Sequence, residues 1–233
     1  MAENKIKYGL RNVHYALATR QSSGTLSYGT PIRWPGAVSL SFSPEGDQTK
    51  FYADDGVYFA IYDNNGYSGS MEMALIPDAF REHVLGEHRD TSGVLAEKTE
   101  TETKYFALMF EFAGDSGHTR HVLYGCTASR PDIGSSTKGE STEVQTETLN
   151  IDAGPVLFGD EYYVKAKTTA DVDAQVYAAW YAAVYTPGDA SPTPLPGSTI
   201  TWFIDWDDNE AVYTITFGVQ NGHPVAVIDE AVD

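Results

Sequence analysis

The sequence predicts a mainly β protein with two helical segments, and alternating patterns in three regions carry that prediction. Val38, Leu40 and Phe42 alternate with serines, which is typical of a half-buried strand. Phenylalanine or leucine occupies every second position from residue 106 to residue 112, and a second alternating stretch follows a GDSG turn. The two stretches together predict a hairpin. Near the C terminus, ITWFIDW, AVYTITF and VAVID predict a small meander of three short strands.

A short helix is predicted over about residues 77–86, in the segment IPDAFREHVLG. Pro77 suits the first turn of a helix, and Asp78 lies where the helix dipole favours negative charge. Gly86 can adopt the left-handed conformation that ends many helices. Phe80 and Val84 are four residues apart, so we expect both to face the sheet.

A longer helix is predicted over about residues 171–186, because Val172, Val176, Trp180 and Val184 recur every four residues. Three tyrosines, Tyr177, Tyr181 and Tyr185, follow the same spacing on a second face. A helix that is apolar on two faces is covered on two sides. Either the tyrosine face is part of a subunit interface, or the helix is sunk in a deep core with the hydroxyls at its edge.

The first strand is predicted around Val13, Tyr15 and Leu17, which alternate with His14, Ala16 and Ala18. We expect this strand to lie at an edge of the sheet. Edge strands are templates for pairing with another chain, so Val13 and Tyr15 are candidates for a subunit interface.

The domain organisation follows from composition. Residues 1–187 are long enough to bury a core as one β domain. Four prolines fall within residues 187–198, so the sequence predicts a semi-rigid, extended linker over residues 188–198. The three C-terminal strands then form a small annex over residues 199–233, for which the sequence suggests no role.

Charge and cysteine content exclude several classes of function. The formal net charge is −18, from 15 basic and 33 acidic residues. Nucleic-acid capture through phosphates needs a basic surface and is therefore not expected. No segment has the apolar length of a membrane span or the apolar core of a signal peptide, so we expect a soluble, unsecreted product. Cys126 is the single cysteine, which predicts a buried core thiol and a reducing assembly compartment.

An insertion over about residues 44–70 interrupts the strand pattern and is rich in aromatic and acidic residues. An exposed arm with so many rings would be an unusually large apolar patch unless another surface covers it. We therefore predict that it docks between subunits. The residues expected to make this contact are Phe51, Tyr52, Asp54, Asp55, Val57, Tyr58, Phe59 and Tyr62.

Several ordered segments resemble one known family. They are PGAVSLSFSPEGDQTKFYADDGVYF, NNGYSGSMEMALIPDAFREHVLG, FALMFEFAGDSGHTRHVLYGCTASRP and STEVQTETLNI. In this order they resemble the major tail proteins of long-tailed, non-contractile phages of Gram-positive bacteria, over roughly residues 1–187. The resemblance implies a β-sandwich or barrel with a flanking helix, assembled as six-membered rings that stack into a tube, with the arm over residues 45–66 contacting the neighbouring ring. The annex is not part of the family pattern.

The same resemblance implies the partners and the location. The protein would contact itself, a tape-measure protein and tail terminator or tip proteins, in a virion tail assembled in the host cytoplasm. Phage DNA would pass through the lumen without specific binding. An acidic inner wall would let DNA slide, although acids on the outer surface would give the same net charge.

No catalytic residue, metal site or cofactor is predicted. Ser116 lies in GDSG, a sequence also found around protease nucleophiles, but no suitably placed histidine and aspartate accompany it, and the tetrapeptide fits a reverse turn. His118 and His121 are three apart on a strand and would point to opposite faces. The alternative to a tail protein is a monomeric β-sandwich that binds carbohydrate or protein; a hydrolase lacks a convergent set of acid, base and nucleophile.

Overall fold

The chain divides into two compact units, residues 1–188 and 189–233. The computed structural model describes residues 6, 8–22, 24–115, 117–137 and 144–188, and the backbone of three strands beyond them. The strands of the first unit are β1 (Leu10–Arg20), β2 (Leu26–Tyr28), β3 (Ile32–Arg33), β4 (Ala37–Glu45), β5 (Gln48–Ala53), β6 (Gly56–Tyr62), β7 (Gly66–Met73), β8 (His88–Arg89), β9 (Leu95–Ala96), β10 (Phe106–Phe112), β11 (Arg120–Ala128), β12 (Glu147–Ala153), β13 (Val156–Phe158), β14 (Glu161–Tyr163) and β15 (Lys165–Lys167).

The predicted mainly β fold is confirmed. Seven strands of the main sheet follow the order β2-β1-β10-β11-β12-β7-β4; β3 also pairs with β1, and β15 with β11. The strand pairs of this sheet are antiparallel. β11 changes partner along its length, pairing with β15 through His121 to Leu123 and with β12 through Cys126 to Ala128.

Both faces of the central strands are buried, as β10 illustrates. Phe106, Leu108 and Phe110 belong to one core, whereas Ala107 and Met109 belong to a second. Successive side chains of a strand point to opposite faces, so the two cores lie on the two sides of the sheet. The small alanine and the flexible methionine between the phenylalanines are therefore core residues as well.

A short helix closes the first core. It is the helix predicted over about residues 77–86, and that prediction is confirmed. It begins as α1 (Asp78–Phe80) after Pro77 and continues as a π-helical turn over Arg81–Leu85. Gly86 ends it in the left-handed conformation, with φ of 76°. Phe80 is fully buried and stacks on Trp34, with ring centroids 4.0 Å apart. The π-helical turn was not expected from the sequence.

The second core is closed by a helix much shorter than predicted. α2 spans only Ala174–Ala179 instead of residues 171–186. Its first turn is capped by the Asp173 carboxylate, which accepts hydrogen bonds from two backbone N–H groups. At Trp180 the chain leaves the helix and the indole is buried against the sheet, being only 2% exposed. Beyond it the chain continues in turns, with hydrogen bonds from the Ala182 and Ala183 amides to the Ala179 carbonyl oxygen. The Tyr124 hydroxyl then donates to the Tyr185 carbonyl oxygen at 2.7 Å.

The expectation that β1 is an edge strand is wrong. β1 pairs with β10 on one side and with β2 and β3 on the other. The two flanking strands have three and two residues, which is too short for their alternation to be recognised in the sequence. The ends of the seven-strand order are β2 and β4.

The second unit contains the predicted meander, formed by β16 (Thr199–Trp206), β17 (Asn209–Gln220) and β18 (His223–Ala231). These strands pair in sequence order, and both pairs are antiparallel. The proline-rich linker predicted over residues 188–198 lies, from residue 189 onward, outside the described residues.

Candidate interaction surface

The aromatic insertion forms a two-stranded hairpin of β5 and β6, which we call the arm. Asp54 and Asp55 form the turn between the strands, with φ values of 51° and 61°. Positive φ at both central residues matches the right-handed twist of the flanking strands and is typical of two-residue hairpin turns. The Asp55-Gly56 pair at the end of this turn is the sequence signal that marks the tip of the arm.

Large apolar side chains of the arm are exposed along its whole length. Their exposed fractions run from 48% for Ile61 to 74% for Tyr62. The residues in this set are Phe51, Tyr52, Val57, Tyr58, Phe59, Ile61 and Tyr62. All the arm residues predicted to dock lie on this hairpin or at its tip. Whether they contact a neighbouring subunit stays a prediction.

The strand register arranges these rings on both faces of the arm. Phe51 lies opposite Phe59, and Tyr52 lies opposite Val57, so Tyr58 is the extra residue of a β-bulge. The rings of Phe51 and Tyr58 meet edge to face with centroids 6.4 Å apart. Successive residues of a strand alternate between faces, so Tyr52 projects from the face opposite Phe51. The arm therefore offers aromatic contacts in two directions.

Two glycines at the root hold the arm on the sheet. Gly66 has φ of 116°, and a Cβ there would lie 2.0 Å from the carbonyl oxygen of Ala153. Gly46 has φ of 145°, and a Cβ there would lie 1.9 Å from the carbonyl oxygen of Asp63. Backbone contacts this close need glycine. The root is thus a defined junction, closed further by a hydrogen bond of 2.9 Å from the Asn65 amide to the Glu45 carbonyl oxygen.

The predicted interface residues Val13 and Tyr15 lie in the first core and are 2% and 1% exposed. The Tyr15 ring packs edge to face on Phe80, with centroids 5.1 Å apart. Both side chains are therefore committed to the protomer's own core. A subunit contact through this strand stays a prediction, and in this conformation it would not involve these two side chains directly.

The three tyrosines after residue 176 also contact their own domain. The Tyr177 ring faces Arg120, the Tyr181 ring stacks on His14 at 4.4 Å, and the Tyr185 ring stacks on Trp180 at 5.6 Å. All three side chains remain partly exposed. The rings thus contact their own domain, although α2 itself has no buried residue. The part of the three tyrosines in a subunit interface stays a prediction.

A buried carboxylate, Glu111, organises the sheet surface beneath α2. It is 3% exposed, and Arg11 Nε lies 2.7 Å from one of its oxygens. Arg120 Nε lies 3.6 Å from the other oxygen, and Asn12 donates a hydrogen bond of 2.6 Å. A buried charge needs such compensation. This cluster was not predicted from the sequence, where its signal is the single acid inside the apolar run FALMFEF.

Burial raises the pKa of the Tyr181 hydroxyl, and the nearby Glu111 carboxylate raises it further. This hydroxyl lies 3.4 Å from Glu111 Oε2 and donates to it. The hydroxyl is a neutral donor at ordinary pH, so it adds to the compensation of the buried carboxylate.

A cavity of about 360 Å³ opens beside the end of β1. Arg20 is the one charged residue in the described part of its lining, and the guanidinium carbon lies 5.3 Å from the ring centroid of Tyr105. The lining residues are Arg20, Gly24, Leu26, Tyr105, Gly125, Gly154, Pro155, Val156, Leu157 and Tyr162. They come from four separate stretches of the chain, so their grouping could not be predicted from the sequence.

The GDSG segment is the turn between β10 and β11, as predicted, although Ser116 itself lies outside the described residues. Burial alone would raise the pKa of Asp115, but hydrogen bonds from Thr119 and from the Gly117 amide outweigh it and lower the pKa. This carboxylate therefore closes the turn. Among the described residues no group of three or more His, Cys, Asp or Glu could hold a metal ion.

Comparison with known proteins gives distant likenesses to solved structures. No protein-family model matches the chain, and no curated protein matches it significantly. The tube-terminating cap of the anti-feeding prophage is similar with a TM-score of 0.42 and 10% identity, covering 72% of this chain and 96% of that one. A chain of the six-fold symmetrised anti-feeding prophage baseplate is similar with a TM-score of 0.42 and 12% identity, covering 74% of this chain and 100% of that one. At these values neither likeness assigns a function.

Within the described part of the chain, no helix is both long enough and apolar enough to cross a membrane.

Proposed function

We propose that this chain is a structural component of a phage-like tail, and more specifically the protomer of its tube. In this function the protein acts by self-assembly, without catalysis. Six copies close a ring and rings stack into a hollow conduit for DNA ejection. The ordered segments that resemble major tail proteins support this proposal, and the exposed arm is the observation that carries it.

The arm supports assembly because its surface is unsuited to a solitary protein. Seven large apolar side chains stand exposed on one hairpin. Contiguous apolar surface of this kind marks interaction sites, and aromatic side chains are frequent anchors of interfaces. The defined root at Gly46 and Gly66 presents these rings in one place, which reduces the entropy lost when they dock.

The two parts of the assembly use different contacts. Lateral contacts that join unlike surfaces form a closed ring when the rotation between copies closes. The arm docks onto the next ring and makes the tube grow along its axis. The tape-measure protein within the lumen and the terminator and tip proteins at the ends are the further partners that the family resemblance implies.

The acidic charge fits a conduit for DNA. The net charge of −18 makes the protein repel a polyanion and gives it no general means of binding phosphates. DNA can then move through the lumen without being held on the wall.

Negative-stain electron microscopy of the concentrated protein, with light scattering on the same sample, tests the function. We expect six-fold rings or tubes. A sample that stays monomeric with tape-measure and tail-tip partners added would overturn the proposal and favour the monomeric binding module.

The role of the arm is tested by replacing Phe51, Tyr52 and Tyr58 with serine. We expect rings or monomers that no longer stack. The matched control replaces three exposed apolar residues outside the arm, Leu75, Val94 and Ile133, with serine and should leave stacking intact. Normal tubes from the arm variant would remove the stacking role.

A further inference from the structure

We propose that the cavity beside Arg20 is the receptor for the tip of the arm from a second copy of this chain. The inference rests on the proposed function and adds to it the surface that receives the arm. In this contact the Asp54 and Asp55 carboxylates approach the Arg20 guanidinium, and the tyrosines of the tip reach the rings at the cavity rim.

Charge complementarity selects this occupant. Among the described residues that line the cavity, Arg20 is basic and none is acidic, although acids outnumber bases by 33 to 15 in the chain. Within the described residues Arg20 has no carboxylate within 4 Å, whereas Arg81 and Arg89 each have two. The Arg20 guanidinium instead lies over the face of Tyr105. A guanidinium held in this way keeps its donors available for a carboxylate.

The arm tip carries the matching groups. Asp54 and Asp55 are adjacent at the end of the hairpin, and both are exposed. Tyr52 and Tyr58 stand just behind them, with exposed fractions of 63% and 73%. The tip therefore combines two negative charges in the turn with one aromatic ring on each of the two strands behind it.

The size and lining of the cavity fit a turn. A volume of about 360 Å³ lies at the small end of the range of ligand-binding pockets, which suits the few side chains of a hairpin tip. Tyr105 and Tyr162 provide ring surfaces for the tyrosines of the tip, and aromatic pairs stabilise contacts beyond the area they bury.

The contact is heterologous, because the cavity and the arm are different surfaces of the chain. Each copy keeps a free arm after its cavity is filled, so such contacts continue from copy to copy. Stacked rings need contacts that continue from copy to copy in this way. A self-complementary contact would instead stop at a dimer.

A thermodynamic cycle tests the charge pairing. Arg20→Gln should raise the protein concentration needed for tube growth by about ten-fold, as expected for one interfacial charge pair. Asp54→Asn with Asp55→Asn should act similarly, and Arg20→Gln added to that variant should have little further effect. The matched controls are Asp47→Asn with Asp63→Asn, which removes the same charge at the arm root, and Arg33→Gln. The pairing would be overturned if the Asp54/Asp55 and Asp47/Asp63 variants raised the concentration needed for tube growth equally. It would also be overturned if the effects of Arg20→Gln and of the Asp54/Asp55 variant were additive.

Cross-linking tests the proximity directly, because native Cys126 is fully buried and leaves introduced thiols as the reactive ones. An Asp55→Cys chain mixed with a Tyr162→Cys chain should form disulfide-linked heterodimers under mild oxidation. Their yield should exceed by about ten-fold that of Asp55→Cys mixed with Lys98→Cys, whose thiol is exposed elsewhere. Equal yields would overturn the proposal.

The two experiments separate this inference from the proposed function. If the wild type forms tubes and Arg20→Gln forms them at the same protein concentration, the tube function stands and the cavity is not the receptor. Loss of rings as well as stacking in Arg20→Gln would place Arg20 in a lateral contact and also overturn the inference. The cross-link needs only two copies in contact, so it tests the receptor even when no tube forms.

Discussion

The guanidinium carbon of Arg120 lies 3.7 Å from the ring centroid of Tyr177, and the same guanidinium donates a hydrogen bond to the Tyr177 carbonyl oxygen. One side chain of β11 thus holds both the ring and the backbone of α2. Arg120 also faces Glu111 and the ring of Tyr181, so it joins the buried carboxylate to the segment that covers the second core.

Arg120→Lys should lower the free energy of unfolding by about 1–2 kcal/mol, because an ammonium group cannot stack and donate in the same planar arrangement. Urea unfolding followed by tryptophan fluorescence measures this. Arg130→Lys is the control, since Arg130 and its partner Glu97 are exposed and their pair should change stability by less than about 0.5 kcal/mol. Equal effects of the two variants would contradict the structural role of Arg120.

Glu111→Ala should destabilise the fold by about 3 kcal/mol, since Arg11 and Arg120 would lose the carboxylate that compensates them. Glu111→Gln keeps the shape of the side chain and some of its hydrogen bonds, so it should destabilise the fold less than Glu111→Ala does. Thermal unfolding of the two variants gives the comparison. A stability equal to wild type in Glu111→Ala would mean that this pairing does not hold the surface beneath α2.

The stability should depend on pH through His14. Burial lowers the pKa of His14 below its ordinary 6.5, and Arg33 lowers it further, whereas the hydrogen bond to the Asn12 carbonyl oxygen and the charge of Glu111 oppose the shift. The unfolded chain therefore binds the proton more readily. The stability from neutral His14 is complete above pH 6.5 and is lost as the pH falls below that value.

His14→Phe keeps a ring against Tyr181 and removes the titration. Urea midpoints of wild type and variant, measured at about pH 7.5 and about pH 5.5, should show that wild type loses more stability on acidification. A larger loss in the variant would mean that the sign of the His14 shift is wrong.

Gly66→Ala should destabilise the arm root by about 3 kcal/mol, because the new methyl group would overlap the Ala153 carbonyl oxygen and the positive φ would be strained. Gly56→Ala is the control within the arm, since a Cβ there meets nothing within 4 Å. Hydrogen exchange of the amides in β5 and β6 reads out the effect. Unchanged exchange in Gly66→Ala would show that the close contact is not needed to hold the arm.

Features determined by neighbouring residues could be predicted from the sequence. The helix near Phe80 follows Pro77 and ends at Gly86. Both signals lie within a few residues of Phe80 in the sequence, so the bounds of the helix were predictable. The arm was predictable because its aromatic residues lie in an insertion that no local core can bury. The location of its tip was not predicted, although the Asp55-Gly56 pair marks it.

Features determined by distant contacts could not be predicted. The four-residue spacing around Trp180 indicates a long helix, but the regular helix ends after six residues and the Tyr124 hydroxyl binds the backbone of Tyr185 beyond it. β1 is flanked by strands of two and three residues, which pair with it after the chain reverses at residues 21–25 and are too short to be recognised by their alternation. The cavity at Arg20 exists only once the four stretches that line it are brought together.

The exposed arm also determines how the free protein behaves in solution. β5 and β6 pair only with each other in the described part of the chain, so the arm has two open strand edges as well as bare rings, a combination that favours aggregation. The net charge of −18 opposes this by keeping copies apart. Because electrostatic repulsion reaches only about 10 Å at roughly 0.1 M salt, the solubility of the free protomer should fall as ionic strength rises.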